Sequence, residues 1–204
     1  RVKSMTRRAI KTSTYIMAPL MMGLAFCAEP IVRLVLTDKW LACVPFLRIF
    51  CITYMFYPIH TANLNAIKAM GRSDLFLKLE IAKKIVGMAL LLSTMWFGVM
   101  AMAYSLLISS VTSQIINSWP NRKLLNYRYL DQLKDILPGI ALAIFMGGCV
   151  HLVGLLHLSN AVTLLIQIPM GAVIYIGASA ALHLESYEYL MGMIRPVLKK
   201  FARK

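Results

Sequence analysis

Long apolar blocks alternating with basic clusters constrain this chain more than any other feature. Of its 22 Lys and Arg residues, 19 fall in four places: Arg1 to Lys11, Lys68 to Lys84, Arg122 to Lys134 and Arg195 to Lys204. Only Arg33, Lys39 and Arg48 lie elsewhere. About 20 apolar residues in a helix, rising about 1.5 Å each, span the ~30 Å hydrocarbon core of a bilayer. The chain is 59% hydrophobic, whereas soluble domains average roughly 45–50% apolar. The fold class this predicts is all-α, a polytopic membrane protein.

The block lengths predict about six spans. They run over about Thr14–Thr37, Leu41–Met70, the Gly71–Asp74 turn to Phe97, Val99–Trp119, Ile136–Leu156 and Ala161–Leu182. Basic residues collect in cytoplasmic loops. All four basic clusters then lie on the cytoplasmic side, together with both ends of the chain. The net charge of +14 is thereby explained by topology, which removes the case for nucleic acid as a partner.

The chain opens Arg-Val-Lys, with neither Met nor a signal peptide, and reads as the C-terminal part of a longer protein. Residues 1–119 read as a four-helix unit behind an amphipathic basic lead. Residues 120–135 read as an interfacial linker helix with an apolar stripe of Leu124, Leu125, Tyr129 and Leu133. Residues 136–182 form a terminal helix pair, and residues 183–204 a basic tail. His157 is expected in an exposed interfacial loop. The cysteines Cys27, Cys43, Cys51 and Cys149 form no C-x-x-C pair and read as small apolar residues.

Prolines predict bends: Pro19 and Pro30 in the first span, Pro45 and Pro58 in the second. Glu29 and Arg33, four apart, are placed to pair on one helical face. Gly147-Gly148 permits close helix packing.

Within this apolar body, Pro58 to Lys84 is the polar joint. Arg48, His60, Asn63 and Asn65 lie inside a span, where polar groups are costly and face a cavity, the interface or a partner. His60 and Asn63 share a helical face; Thr61 and Asn65 lie on an adjoining one. His60 has no second ligand at metal spacing. Gly71-Arg72-Ser73-Asp74 reads as a tight turn with Ser73 or Asp74 as N-cap. Asp74/Lys78 and Glu80/Lys84 are i,i+4 pairs with the acid first, the favourable order. No catalytic set, metal cluster or cofactor motif is present, so the chain is not expected to be an enzyme.

The joint, with Pro58, His60, Asn63-Leu64, Gly71-Arg72-Ser73-Asp74, Leu77, Glu80 and Lys83-Lys84, resembles the C-terminal portion of Wzx-type polysaccharide and lipopolysaccharide flippases. These belong to the multidrug/oligosaccharidyl-lipid/polysaccharide exporter superfamily. Asp38-Lys39-Trp40, in the place of a family G-x-x-W turn, and the run from Asn126-Tyr127 to Pro138 extend the likeness over nearly the whole chain. The sequence departs at Thr37, where the family usually has Gly.

The resemblance implies the second lobe of a two-lobed transporter around a central cavity, with the N-terminal lobe as its missing partner. It would move an undecaprenyl-diphosphate-linked oligosaccharide across the bacterial inner membrane. Polysaccharide polymerase or export components would be further partners. Arg48, His60, Asn63, Asn65, Arg72, Glu80, Lys83 and Lys84 are the substrate-path candidates, with cations for the diphosphate and amides and His for the sugars. The competing readings are a cation-coupled drug exporter of the same superfamily and a non-transporting scaffold subunit. The first is disfavoured because no carboxylate falls in mid-span.

Overall fold

The computed structural model describes residues 2–154, 156 and 159–201, with backbone alone for 195–201. The expected interfacial His157, and the side chains of the basic tail, Arg195, Lys199, Lys200, Arg203 and Lys204, lie outside the described residues, as does Arg1. No strand occurs among the described residues. The helices are α1 (Val2–Phe26), α2 (Ala28–Val35), α3 (Val44–Met55), α4 (Tyr57–Ala69), α5 (Ser73–Thr94), α6 (Val99–Leu125), α7 (Tyr129–Gly154), α8 (Asn160–Ala181) and α9 (Glu185–Phe201).

Four stretches are long and apolar enough to cross a membrane: Asp38–Ala69, Val99–Leu125, Tyr129–Gly154 and Asn160–Ala181. The pair α1 and α2, bent by 66°, makes a fifth if it counts as one span. The expected third span, α5, falls short because Lys78, Glu80, Lys83 and Lys84 load its first half with charge. Six spans by pattern thus become four or five by length and composition.

The first span is one helix with its lead. α1 runs unbroken from Val2 through Pro19, so the basic lead is helical and continuous with the apolar part. The sharp bend falls at Cys27, three residues before Pro30, whose missing N–H denies a partner to the Phe26 carbonyl. The second span breaks at Phe56, beside Pro58, as its prolines predict.

Helix association inside a bilayer relies on close packing and hydrogen bonds, because lipid is as apolar as the helices. α1 is the central helix, packed along α7 and also against α3 and α4. Ile10 and Ala18 of α1 are fully buried in a cluster with Ile59 of α4, Ala143 and Met146 of α7 and Tyr175 of α8. The Tyr175 hydroxyl donates to the Tyr15 carbonyl at 2.8 Å, tying α8 to α1. Gly147 allows the closest approach: a Cβ there would lie 2.3 Å from the Phe26 ring. Gly148 faces open space and contributes nothing to packing.

Several local expectations are corrected. Residues 120–135 are not one interfacial helix. α6 continues through Pro120 to Leu125, Asn126 turns the chain with φ 48, and α7 begins at Tyr129. Leu125, Tyr129 and Leu133 do pack on the core, but Leu124 is exposed.

At the α4–α5 turn, Gly71 takes φ 70 and Lys68 stands 4.4 Å over the Phe76 ring. The N-cap is Arg72, with no side-chain cap; Ser73 and Asp74 are already helical. Asp74 pairs back to Arg72 at 3.3 Å, and Glu80 pairs with Lys83 three residues on. Neither i,i+4 pair forms, because each acid has a nearer cation. Glu29–Arg33 does form, at 2.9 Å, and Asp38 joins it at 3.1 Å.

Thr37 has φ 76, a left-handed value that strains a β-branched residue. Thr37→Gly should therefore raise stability by about 1 kcal/mol. Gly147→Ala should lower it by about 1–3 kcal/mol, since the Phe26 ring must leave its rotamer. Thermal unfolding midpoints in one detergent would read both, and a Gly147→Ala protein as stable as wild type would contradict the packing described.

Candidate functional site

A polar stripe on α6 organises the interior. Gln114, Asn117, Ser118 and Asn121 are spaced i, i+3, i+4 and i+7, so they share one helical face. All four are buried, and none is among the residues expected from sequence to form the site. Their signal was present: the amides and hydroxyl recur at helical spacing in an apolar helix, the pattern of a face that must find partners inside the bundle.

Two of the predicted residues meet that stripe. Asn63 is fully buried. Its Nδ2 donates to Gln132 Oε1 at 2.7 Å, to Ser118 Oγ at 3.1 Å and to the Ile59 carbonyl at 2.9 Å. Its Oδ1 accepts from Asn121 Nδ2 at 2.7 Å and Gln132 Nε2 at 3.1 Å. Asn63 thus joins α4 to α6 and α7. His60, one turn earlier, accepts at Nδ1 from Asn117 Nδ2 at 2.8 Å, which places its own ring proton on Nε2. Tyr129 closes the row by donating to Gln114 Oε1 at 3.2 Å. The Oδ1 atoms of Asn117 and Asn121 remain buried without a partner.

The other candidates lie elsewhere. Asn65 is exposed and makes no hydrogen bond among the described residues. Arg48 is exposed too, but its Nε donates to the Ala25 carbonyl at 3.3 Å, beside the α1–α2 break. It therefore supports a broken helix end. Arg72 is engaged with Asp74 at the turn. Lys83 is buried, held by Glu80, and both lie within electrostatic reach of His60. Lys84 is exposed and has no ion pair among the described residues. The proposed path thus divides into a buried row around His60 and Asn63 and separate charges around it.

Basic residues of α1 gather with the α6–α7 turn and the start of α9 at one end of the bundle. Lys3 donates to the Asn126 carbonyl at 2.8 Å. Arg7 grips Asp135 with two bonds, at 2.7 and 2.6 Å, and Lys11 reaches Glu185 of α9. The Tyr127 hydroxyl donates to the same Asp135 at 2.7 Å. Burial, then that bond, push the Tyr127 phenol far above its usual range. Lys11 holds the Glu185 carboxyl below the ordinary carboxylate value. The α4–α5 turn follows toward this end as well, because Asn63 in the middle of α4 meets Asn121, four residues before the end of α6.

A cleft of about 240 Å³ opens between α3–α4 and α6, lined by Phe50, Thr53, Tyr54, Tyr57, His60, Leu106, Ser109, Ser110 and Ser113. An apolar groove of about 480 Å³ runs between α1, α7 and α8, with Pro19, Met146 and Gly171 in its walls. Among the described residues no three His, Cys, Asp or Glu side chains gather where they could share a metal ion.

Comparison with known proteins finds likeness over parts of the chain. Residues 1–45 match a family described as "Polysaccharide biosynthesis protein". The chain is 31% identical over 125 residues to an "Uncharacterized membrane protein in cps region" of Klebsiella pneumoniae. That likeness takes in 61% of this chain and 24% of the relative, so the chain spans about a quarter of the curated relative's length. No solved structure matches.

The amide row carries a direct test. Asn63→Ala leaves Gln132, Ser118 and Asn121 short of partners and should cost about 1–3 kcal/mol. Asn65→Ala should cost nothing measurable. Thermal unfolding of the two variants in the same detergent separates them, and equal midpoints would refute the network's role.

Proposed function

We propose that this chain is the second lobe of a flippase that moves an undecaprenyl-diphosphate-linked oligosaccharide across the bacterial inner membrane during polysaccharide biosynthesis. One observation carries the reading: polar side chains at membrane depth that run from a buried amide row to His60 at an open cleft, on a chain similar to a family described as "Polysaccharide biosynthesis protein" and to a membrane protein in a cps region. Polar side chains at membrane depth mark pathways for polar cargo. His60, which lines the open cleft, suits hydroxyl-rich cargo, with Asn63 and the row from Gln114 to Asn121 fixing the helices behind it, and the basic end suits an anionic diphosphate.

Both ends of the chain face the cytoplasm in this reading, since the four basic clusters follow the positive-inside pattern. The loaded lipid arrives at the turn carrying Arg72 and at Lys84. The activity is transport without covalent chemistry. It belongs to the complete protein, with the first lobe and polysaccharide polymerase or export components as partners. A cation-coupled drug exporter is the weaker alternative, because Glu80 is already neutralised by Lys83.

The test is translocation of undecaprenyl-diphosphate-linked oligosaccharide in vesicles carrying the full-length protein. Movement no faster than in protein-free vesicles would overturn the reading. Lys84→Ala should slow entry about fivefold, the ~1 kcal/mol of one basic residue facing anionic lipid. Arg48→Ala should instead lower the amount of folded protein, with turnover per molecule unchanged.

A further inference from the structure

The cleft between α3–α4 and α6 has a composition that neither lipid packing nor the amide row explains. Three aromatic rings, Phe50, Tyr54 and Tyr57, line one wall with His60 and Thr53. The other wall carries Ser109, Ser110 and Ser113 on α6. Tyr54, Tyr57 and His60 form a ladder of rings: Tyr54 and Tyr57 centroids are 6.2 Å apart, and Tyr57 stacks on His60 at 5.6 Å. The ladder crosses the α3–α4 break, which turns successive rings onto one face.

Depth makes this composition costly. Tyr54 and Tyr57 fall near the middle of the Asp38–Ala69 span, and the three serines near the middle of Val99–Leu125. Aromatic residues that anchor a protein at the interface sit at span ends. Tyr54 is 16 residues from the start of its span, about 24 Å at the helical rise. A phenol in hydrocarbon without a partner is penalised. Among the described residues the hydroxyls of Tyr54, Tyr57, Ser109 and Ser113 have no hydrogen-bond partner. Tyr54 and Tyr57 are each about half exposed, at 53% and 50%. Polar groups so placed fit a cleft that receives a polar ligand.

We infer that this cleft binds a sugar unit of the lipid-linked oligosaccharide, stacking its C–H face on Tyr54 and Tyr57 and hydrogen-bonding its hydroxyls to Ser109, Ser113 and His60 Nε2. A sugar ring combines an apolar face with a rim of hydroxyls, and the cleft offers an aromatic wall opposite a hydroxyl wall. His60 is available because Asn117 occupies Nδ1 and leaves the Nε2 proton to donate. At about 240 Å³ the cleft is smaller than the roughly 300–1,000 Å³ of pockets for drug-sized ligands. It therefore takes one sugar unit at a time and leaves the diphosphate and isoprenoid outside. The inference rests on the flippase reading for its cargo and adds to it the place where the sugar is held.

The experiment uses full-length protein in proteoliposomes, with Cys27, Cys43, Cys51 and Cys149 replaced by Ala and Leu106→Cys introduced in the cleft wall, away from the groups that hold the sugar. A water-soluble maleimide reports access to the cleft. Undecaprenyl diphosphate carrying a hexose, at ten times its dissociation constant, should slow labelling about tenfold. Undecaprenyl diphosphate without sugar should not slow it, and adding Tyr57→Ala should abolish the protection. No labelling in the absence of lipid would mean that the cleft is dry or covered by another helix, and would overturn the proposal. Equal protection by both lipids would overturn it too, by assigning the cleft to the diphosphate or isoprenoid. Translocation measured in the same vesicles separates the two claims. Transport without sugar-dependent protection removes the cleft alone; protection without transport removes the flippase and leaves sugar binding.

Discussion

The structure depends on one side chain that cannot be left alone in an apolar bundle, the amide of Asn63. Its donor and acceptor must both be satisfied inside the protein, because no water competes for them. Ser118 and Asn121 of α6 and Gln132 of α7 satisfy them, so three helices are held at a defined register. The apolar contacts around them supply no comparable direction, since lipid competes with every leucine. A hydrogen-bonded amide cluster of this kind specifies where helices sit more than it adds to total stability.

Around that cluster the helices are arranged for close approach. α1 lies in the centre, with Gly147 letting the Phe26 ring press on α7. The charged end is closed by Asp135, which draws Arg7, Lys11 and Tyr127 together and so links the start of the chain to the α6–α7 turn. The same carboxylate explains why residues 120–135 are not a free linker helix: their second half is anchored to α1. Breaks at Cys27 and Phe56 remain where proline withholds a donor. At the first of these Arg48 supplies one to a nearby carbonyl, a supporting role inside the membrane for a charge that reads from sequence as a cargo contact.

The two polar faces of α6 divide the site's work. Asn117, Ser118 and Asn121 are consumed by α4 and α7. Ser109 and Ser113, farther from the charged end, face the aromatic cleft with their hydroxyls uncommitted. The resemblance to exporters drew attention to the α4–α5 joint. Of the seven candidates in the joint, two, His60 and Asn63, join the buried row, with Lys83 beside them. Asn65 sits on the outer face two positions on, because a helix turns through more than half a revolution in two residues.

The sequence by itself determined that the chain is a helical membrane protein, where its proline breaks fall, and which of its loops share one charge. Those follow from hydropathy and proline position, which act along the chain and need no partner. Glu29–Arg33 was equally legible, being a local pair at helical spacing. Only the tertiary structure decided which polar groups meet. Asn63 with Gln132, Arg7 with Asp135 and His60 with Asn117 are separated by 69, 128 and 57 residues. No periodicity within one helix can say which neighbour it will face. The spare hydroxyls of the cleft were hidden for the same reason: whether a residue is satisfied or idle depends on what surrounds it after the helices have packed.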